Sequence, residues 1–267
     1  MQINGIGHRP NLINPGTSNK AESLLEKLAS GKKVNSAADD AAGLAIINRL
    51  SAELDGYLRG AQNGYDGISV AQTAEGTYSE VGESVARIEE LTIQAGNGAL
   101  NSQDRQAIQS EIDGLTEHIT ETVSNASFGG VKLMDNAGSI GITLGGSSSI
   151  NIDTKDVNAD LNGFGLNTID VTSAAGRAAA QTTLESAKDY VNTSRAELGA
   201  TQNRLDSGIR NLNTQHENVS AARSRRQDTD YAQASSERAR NNFLQQAQIS
   251  IQAQSNLNRG QALNLLG

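Results

Sequence analysis

The chain has 267 residues, a formal net charge of −8, no cysteine, only 3% aromatic residues and 27 glycines. The absence of cysteine excludes disulfides, thiolate metal sites and cysteine nucleophiles. The negative charge argues against a nucleic-acid partner, because phosphate binding needs clustered positive charge. No run of about 18 apolar residues is present, so no membrane insertion is predicted.

The first predicted helix follows a proline-containing start. Residues 1–16 include Pro10 and Pro15 and are expected to be irregular or at best a broken helix. The apolar stripe that contains Leu24, Leu25 and Leu28 predicts a short helix, and Gly31 is expected to end it. Ser36 followed by Asp39 fits a capping box for the next helix.

A second, much longer helix is predicted from residue 42 to residue 95. Its apolar stripe is interrupted by many glycines, each of which costs up to about 1 kcal/mol against alanine in a helix. Packing rather than intrinsic propensity must therefore hold this helix, which would span about 80 Å. Asn101, with Asp104 three residues later, predicts the start of a third helix.

The middle of the chain changes from helical to strand periodicity. Ile140, Ile142 and Leu144 alternate with polar residues, and Ile150 and Ile152 alternate again. This pattern predicts a β-hairpin with a five-residue loop from Gly145 to Ser149. Residues 153–173 are expected to be irregular or to form short strands.

A fourth long helix, from about Ala178, carries an apolar residue at every seventh position. A stripe sustained over five intervals predicts a coiled-coil seam along another long helix. Its members are Leu184, Val191, Leu198, Leu205, Leu212 and Val219.

From residue 228 onward the apolar residues cover more of the helix than one partner helix can bury. Such a face is expected to be buried only by several neighbouring chains. Its members include Phe243, Leu244, Ala247, Ile251, Leu257 and Leu265.

No catalytic chemistry is evident in the sequence. The three histidines, His8, His118 and His216, are too far apart to pair on one helix. Acid pairs such as Asp39-Asp40 are interpreted as caps and surface charge. We therefore expect no enzyme activity, no metal and no cofactor.

The two ends of the chain resemble bacterial flagellins closely, in the right order. The matching segments are Leu28 to Ile46, Asn63 to Gly76, Ala222 to Ala232, Gln245 to Gln254 and the final Leu265-Leu266-Gly267. The resemblance covers roughly residues 17–135 and 178–267. About 40 residues lie between, as in a minimal form without large outer domains.

The resemblance implies a mainly α fold: a long antiparallel helical coiled-coil bundle with a small β-hairpin region, in which both termini form an inner helical pair. Residues 1–41 with 228–267 would form an inner tube, with packing between subunits that includes Leu24 and Leu28. Residues 42–227 would form the outer layer, with the β-hairpin region near 130–173.

The same resemblance implies a structural subunit that self-assembles into the extracellular flagellar filament and serves motility. Secretion would use the flagellar type III apparatus without a cleavable signal peptide. The implied partners are other copies of the chain, flagellar cap and hook-junction proteins, and an export chaperone at the C-terminal helix. A hook-filament junction or cap-associated protein is the alternative.

The resemblance further implies a ligand of the innate immune receptor Toll-like receptor 5. The family's recognition patch falls on residues 87–94, and Arg87, Leu91 and Glu111 match its contacting residue types. Leu91 also fits the core stripe of the second helix, so a purely structural role stays open.

Three sites depart from the family pattern. They are the prolines at 10 and 15, the pair Lys32-Lys33, and Arg226 one heptad after Val219. A charge at Arg226 is expected to end the seam or to reach an acid of a neighbouring subunit.

Overall fold

The computed structural model describes residues 15–146 and 148–266, and most of these residues are helical. The α-helices are α1 (Pro15–Ser30), α2 (Ala41–Ala95), α3 (Ser102–Asn125), α4 (Val157–Gly163), α5 (Ala174–Gln227) and α6 (Tyr231–Leu266). The strands are β1 (Ser127–Phe128), β2 (Val131–Lys132), β3 (Gly138–Gly145) and β4 (Ser148–Thr154). The prediction of a mainly α protein with a small β-hairpin region is confirmed.

The described chain divides into two compact units. One unit is Asp55–Glu217, and the other joins the segment that ends at Leu54 to the segment that begins at Asn218. The divisions fall inside the continuous helices α2 and α5.

Within the unit Asp55–Glu217, α2 and α5 run antiparallel. Near the end of α2, Glu89 accepts hydrogen bonds from the Lys188 ammonium, and earlier in α2 Glu75 accepts one from Gln202. The core of this unit receives fully buried side chains from α2, α3 and α5. They include Val81, Val85, Ile88, Ile112, Ile119, Leu184 and Leu205.

The start of α3 has the predicted capping arrangement. The Asn101 side chain accepts hydrogen bonds from the N–H groups of Gln103 and Asp104, at 2.7 and 2.9 Å. The Asp104 carboxylate in turn accepts the Asn101 N–H at 3.0 Å. This reciprocal pair satisfies donors that the helix itself leaves free.

The β-hairpin has the predicted strands but not the predicted loop. Ile140 pairs with Ile152 and Ile142 with Ile150, in antiparallel register. Because Gly145 pairs with Ser148 and Thr143 with Ser149, the expected five-residue loop is wrong. The strands extend almost to the turn, and Ser147 lies outside the described residues.

The expectation of irregular chain or short strands over residues 153–173 is right for residues 153–156 and 169–173 but wrong for the stretch between them. This segment contains α4 and a 3-10 turn at Leu166–Thr168. Tyr190 of α5 donates its hydroxyl to the Asp160 carboxylate at 2.6 Å and packs edge-on to Phe164. Burial and this hydrogen bond raise the pKa of Tyr190, so the phenol stays protonated and ties α4 to α5.

Two local features near the N-terminus differ from expectation. Pro15 does not interrupt a helix but opens α1, where a missing N–H costs nothing; Pro10 lies outside the described residues. Asp40, not Ser36, caps α2: its carboxylate accepts the Gly43 N–H at 2.8 Å. Asp39 instead accepts the N–H groups of Ser36 and Asn35, which lowers its pKa.

The terminal helices α1 and α6 pack together as a pair. The Tyr231 hydroxyl at the start of α6 donates to the Leu28 carbonyl at 3.1 Å. Beside it, the Thr229 N–H donates to the Gly31 carbonyl at 2.9 Å, in a left-handed turn with φ of 68° at Gly31. The described chain therefore pairs its two terminal helices, as predicted.

Candidate functional site

The most unusual surface of the described chain is the apolar face of α6. Phe243, Ile251 and Leu257 are 69%, 70% and 69% exposed, and Leu244 and Ile249 are exposed as well. Among the α6 side chains that the structure describes, only Ala234 is buried. Exposed apolar area of this extent is typical of a surface that another chain covers.

The other residues predicted for terminal packing are less exposed. Leu28 is buried, while Leu24 and Ala247 are half-buried. Leu24 lines a shallow groove between α1 and α6, together with Lys27 and Glu237. The side chain of Leu265 lies outside the described residues.

The predicted seam residues of α5 are largely buried. Leu184, Val191, Leu198, Leu205 and Leu212 belong to the core, and Val219 is half-buried. Several of their neighbours across the helix pair are glycines of α2. A Cβ at Gly67 would lie 3.3 Å from Leu205 Cδ1, and one at Gly60 would lie 3.2 Å from Leu212 Cδ1. The small residues allow the two helices to approach closely.

The charged patch on α2 and α3 is organised by one arginine. The Arg87 guanidinium donates to Glu111 of α3 at 2.9 Å and to Glu90 at 3.0 Å. These hydrogen bonds, the one to Glu111 foremost, raise the pKa of Arg87. Arg87 and Glu111 are exposed, whereas Leu91 is only 2% exposed and lies in the core.

The charged residues that depart from the family pattern lie at the surface, near the ends of helices. Lys32, Lys33 and Arg226 are all exposed. Lys32 forms an antiparallel bridge with Asp228, and the Lys33 N–H donates to the Gln227 carbonyl at 2.5 Å. The lysine pair therefore belongs to a backbone contact between the α1–α2 and α5–α6 connections.

Sequence periodicity misjudged some residues of these surfaces. Leu25 belongs to the predicted apolar stripe of the first helix but is exposed. Glu90, the second carboxylate held by Arg87, could have been found from its i, i+3 spacing.

The described residues show no group of three or more histidine, aspartate or glutamate side chains that could hold a metal ion. Within the same ranges, none of the helices is long and apolar enough to cross a membrane.

These features define a class: a long-helix protein whose terminal pair presents an uncovered apolar face. Two family models identify the family. "Bacterial flagellin N-terminal helical region" matches residues 12–139, and "Bacterial flagellin C-terminal helical region" matches residues 181–266. The chain belongs to the bacterial flagellin family, and is thus a structural protein of the flagellar filament.

Similar curated proteins span the whole chain. A flagellin of Bacillus subtilis is 35% identical and covers 100% of both chains. A flagellin of Halalkalibacterium halodurans is 35% identical over 93% of this chain and 92% of its own. Family membership therefore extends beyond the two matched ends.

Solved structures support the fold. The crystal structure of Bacillus cereus flagellin has a TM-score of 0.52 and 24% identity, covering 61% of this chain and 94% of that chain. A putative flagellar hook-associated protein from Vibrio parahaemolyticus has a TM-score of 0.62 and 14% identity, covering 71% of this chain and 99% of that chain. At these identities the likeness concerns the fold alone.

Proposed function

We propose that the chain polymerises by burying the exposed apolar face of α6 against neighbouring copies. The observation that carries this proposal is the exposure of Phe243, Ile251 and Leu257 on one terminal helix. Burial of a large apolar side chain contributes roughly 1.5–3 kcal/mol, so a few such residues can hold copies together. Contacts between unlike surfaces that do not close into a ring generate an open helical polymer.

In this proposal the terminal segments 1–41 and 228–267 form the inner layer and residues 42–227 the outer layer of the filament. The pairing of α1 with α6 supports the inner assignment, because it leaves the α6 apolar face free for other copies. The buried side chains of α2, α3 and α5 support an outer bundle that is stable on its own.

Seeded polymerisation tests this arrangement. A chain that ends at Ala247 lacks Ile251 and Leu257 and should not grow from short filament seeds in negative-stain micrographs. Its circular dichroism should retain the α2, α3 and α5 helices. Growth of normal filaments from the truncated chain would refute the proposal, and loss of all helicity would refute the division into layers.

Export and capping partners follow from the family. The chain would leave the cell unfolded through the flagellar type III apparatus, without a cleaved signal peptide. An export chaperone would cover the α6 apolar face until assembly, and cap and hook-junction proteins would contact the polymer ends. Competition between a candidate chaperone and seeded growth would test whether both use α6; simultaneous binding and normal growth would contradict a shared surface.

We further propose that the exposed Arg87 and Glu111 form the centre of a surface for Toll-like receptor 5. Their mutual ion pair orients both side chains outward from adjacent helices. Because Leu91 is buried, its contribution would be to position α2 and not to contact the receptor.

Receptor-ectodomain binding tests this surface. Arg87→Ala should weaken the Kd about tenfold or more, equivalent to ~1.4 kcal/mol. Arg210→Ala is a matched control, because Arg210 is also exposed and also pairs with a carboxylate, that of Asp206. Equal affinities of the two variants would contradict the assignment.

The second candidate function is a hook-filament junction or cap-associated protein. The putative hook-associated protein named above has a similar fold, which is the reason for this alternative. Long uniform filaments from purified chain would support the filament subunit, whereas short capped rings or monomers would favour the junction protein.

A further inference from the structure

We propose that Asn97 is a site of spontaneous deamidation, at which the folded chain converts its own asparagine to aspartate and isoaspartate. The inference does not depend on the proposed function. It rests on the geometry of the turn between α2 and α3, where Asn97 is followed by Gly98. Of the other Asn–Gly dipeptides in the sequence, Asn63–Gly64 lies inside α2 and is protected by the fold.

The reaction needs only the chain and water. The backbone nitrogen of Gly98 attacks the side-chain Cγ of Asn97 and forms a five-membered succinimide. The bond from Cγ to the amide nitrogen breaks, and the nitrogen leaves as ammonia with the proton that the backbone amide gives up. Water then opens the ring at either carbonyl, which yields aspartate or isoaspartate without any change of oxidation state.

The turn leaves the attacking nitrogen accessible. Residues 96–99 are all exposed and lie outside both helices. A Cβ placed on Gly98 would meet no atom within 4 Å, so the space beside the Gly98 Cα is open. Within the described ranges, no acceptor meets the Gly98 N–H, although the neighbouring N–H groups of Gly96, Asn97 and Leu100 all donate to carbonyls.

The Asn97 side chain is already folded back on the following backbone. Its Oδ1 accepts the N–H of Ala99 at 3.0 Å, two residues along the chain. This contact holds the amide carbon close to the Gly98 peptide, and bringing two reacting groups together in this way accelerates an intramolecular step.

Asn63–Gly64 is the protected comparison in the same molecule. It lies in the interior of α2, where the Gly64 N–H is committed to the carbonyl four residues earlier and the backbone angles are fixed. The Asn63 amide also donates to the Thr143 carbonyl of the hairpin at 2.9 Å. Attack by the Gly64 nitrogen would require this part of α2 to unwind.

Conversion would change the turn that joins α2 to α3. It places a carboxylate beside Arg105, whose guanidinium donates to the carbonyls of Ala95 and Asn97 at 3.1 and 3.2 Å. The isoaspartate product also adds one methylene group to the backbone of this turn.

Peptide mapping of aged, folded chain tests the proposal. After incubation in mildly alkaline buffer, the peptide with Asn97 should show the deamidation mass and react with an isoaspartyl methyltransferase. Asn63 should convert about 100-fold more slowly, as expected when a reacting group is held in the wrong place. In denaturant both sites should convert at similar rates.

Two variants separate the chemistry from general instability. Gly98→Ala meets no steric obstacle and should keep the circular dichroism of the parent chain while converting several-fold more slowly, because a Cβ hinders the attack. Asn97→Gln should give no product in that peptide. Equal conversion of Asn97 and Asn63 in the folded chain would overturn the proposal. So would an Asn97 that survives for as long as Asn63 under native conditions.

Discussion

Gly60 of α2 lies so close to Leu144 of β3 that a Cβ at Gly60 would overlap the Leu144 carbonyl oxygen. The side chain of Leu144 would also lie 3.1 Å from a Cβ at Gly64. The end of the hairpin therefore rests directly on the backbone of α2. Glycines that weaken a helix by propensity here make room for a second element to pack.

Gly60→Ala should destabilise the chain. The added methyl must displace the β3 backbone, and overpacking of this kind typically costs about 1–3 kcal/mol. Gly56→Ala is the matched control, because a Cβ there meets nothing within 4 Å. That variant should gain roughly 0.5–1 kcal/mol from reduced unfolded-state entropy. Urea unfolding measures both, and a stabilising Gly60→Ala would contradict the contact.

Leu205→Ala should be strongly destabilising. Leu205 is fully buried in the core of the unit Asp55–Glu217, and removal of such a leucine leaves a cavity that costs about 2–5 kcal/mol. Leu58→Ala removes the same atoms from an exposed position of α2 and should change stability by less than about 0.5 kcal/mol. Similar midpoints of thermal unfolding for both variants would exclude the seam.

Asp170 should make stability depend on pH in acid. Its carboxylate accepts hydrogen bonds from the hydroxyls of Ser173 and Thr172 and from the Thr172 N–H, before the first residue of α5. These bonds lower its pKa from 3.8 to about 2. A lowered pKa in the folded state means that the contribution is complete above 3.8 and is lost as the pH falls through about 2.

Stability of Asp170→Asn across this acid range provides the test. The variant should be less stable than the parent at neutral pH. The difference in stability should shrink as the pH falls and the Asp170 carboxylate of the parent becomes protonated. Removal of both hydroxyls in the double variant Thr172→Ala, Ser173→Ala should flatten the pH dependence in the same way. If the difference in stability between the parent and Asp170→Asn stays constant from neutral pH down to pH 2, ionisation of the Asp170 carboxylate does not contribute to stability.

Periodicity and capping chemistry predicted much of the fold. The heptad spacing predicted which residues of α5 are buried. The pair Asn101 and Asp104 predicted the start of α3, and the side chains of these two residues form its cap. Such features succeed because they depend on neighbours within one or two turns. The predicted cap of α2 was wrong because Ser36 and Asp40 are both suitable N-cap residues, and the choice between them depends on how the turn around Asp39 folds.

Long-range packing could not be predicted from the sequence. α4 forms in a polar segment, where Val157 and Leu161 are buried and the Tyr190 hydroxyl binds Asp160, thirty positions earlier. Leu91 matches a recognition pattern, yet it lies in the core because α2 turns that face inward. A sequence pattern can identify candidate contact residues, but only the burial of each side chain in the structure shows whether a partner can reach it.

The central claim is that copies assemble through the apolar face of α6. The most direct measurement compares seeded growth of the double variant Ile251→Ser, Leu257→Ser with that of Gln252→Ser, Asn256→Ser. All four positions are exposed on the same turns of one helix, and both variants introduce two serines. We predict that the first variant stays in the supernatant after sedimentation while the second forms filaments as the parent chain does. Equal filament yields from the two variants would contradict the account.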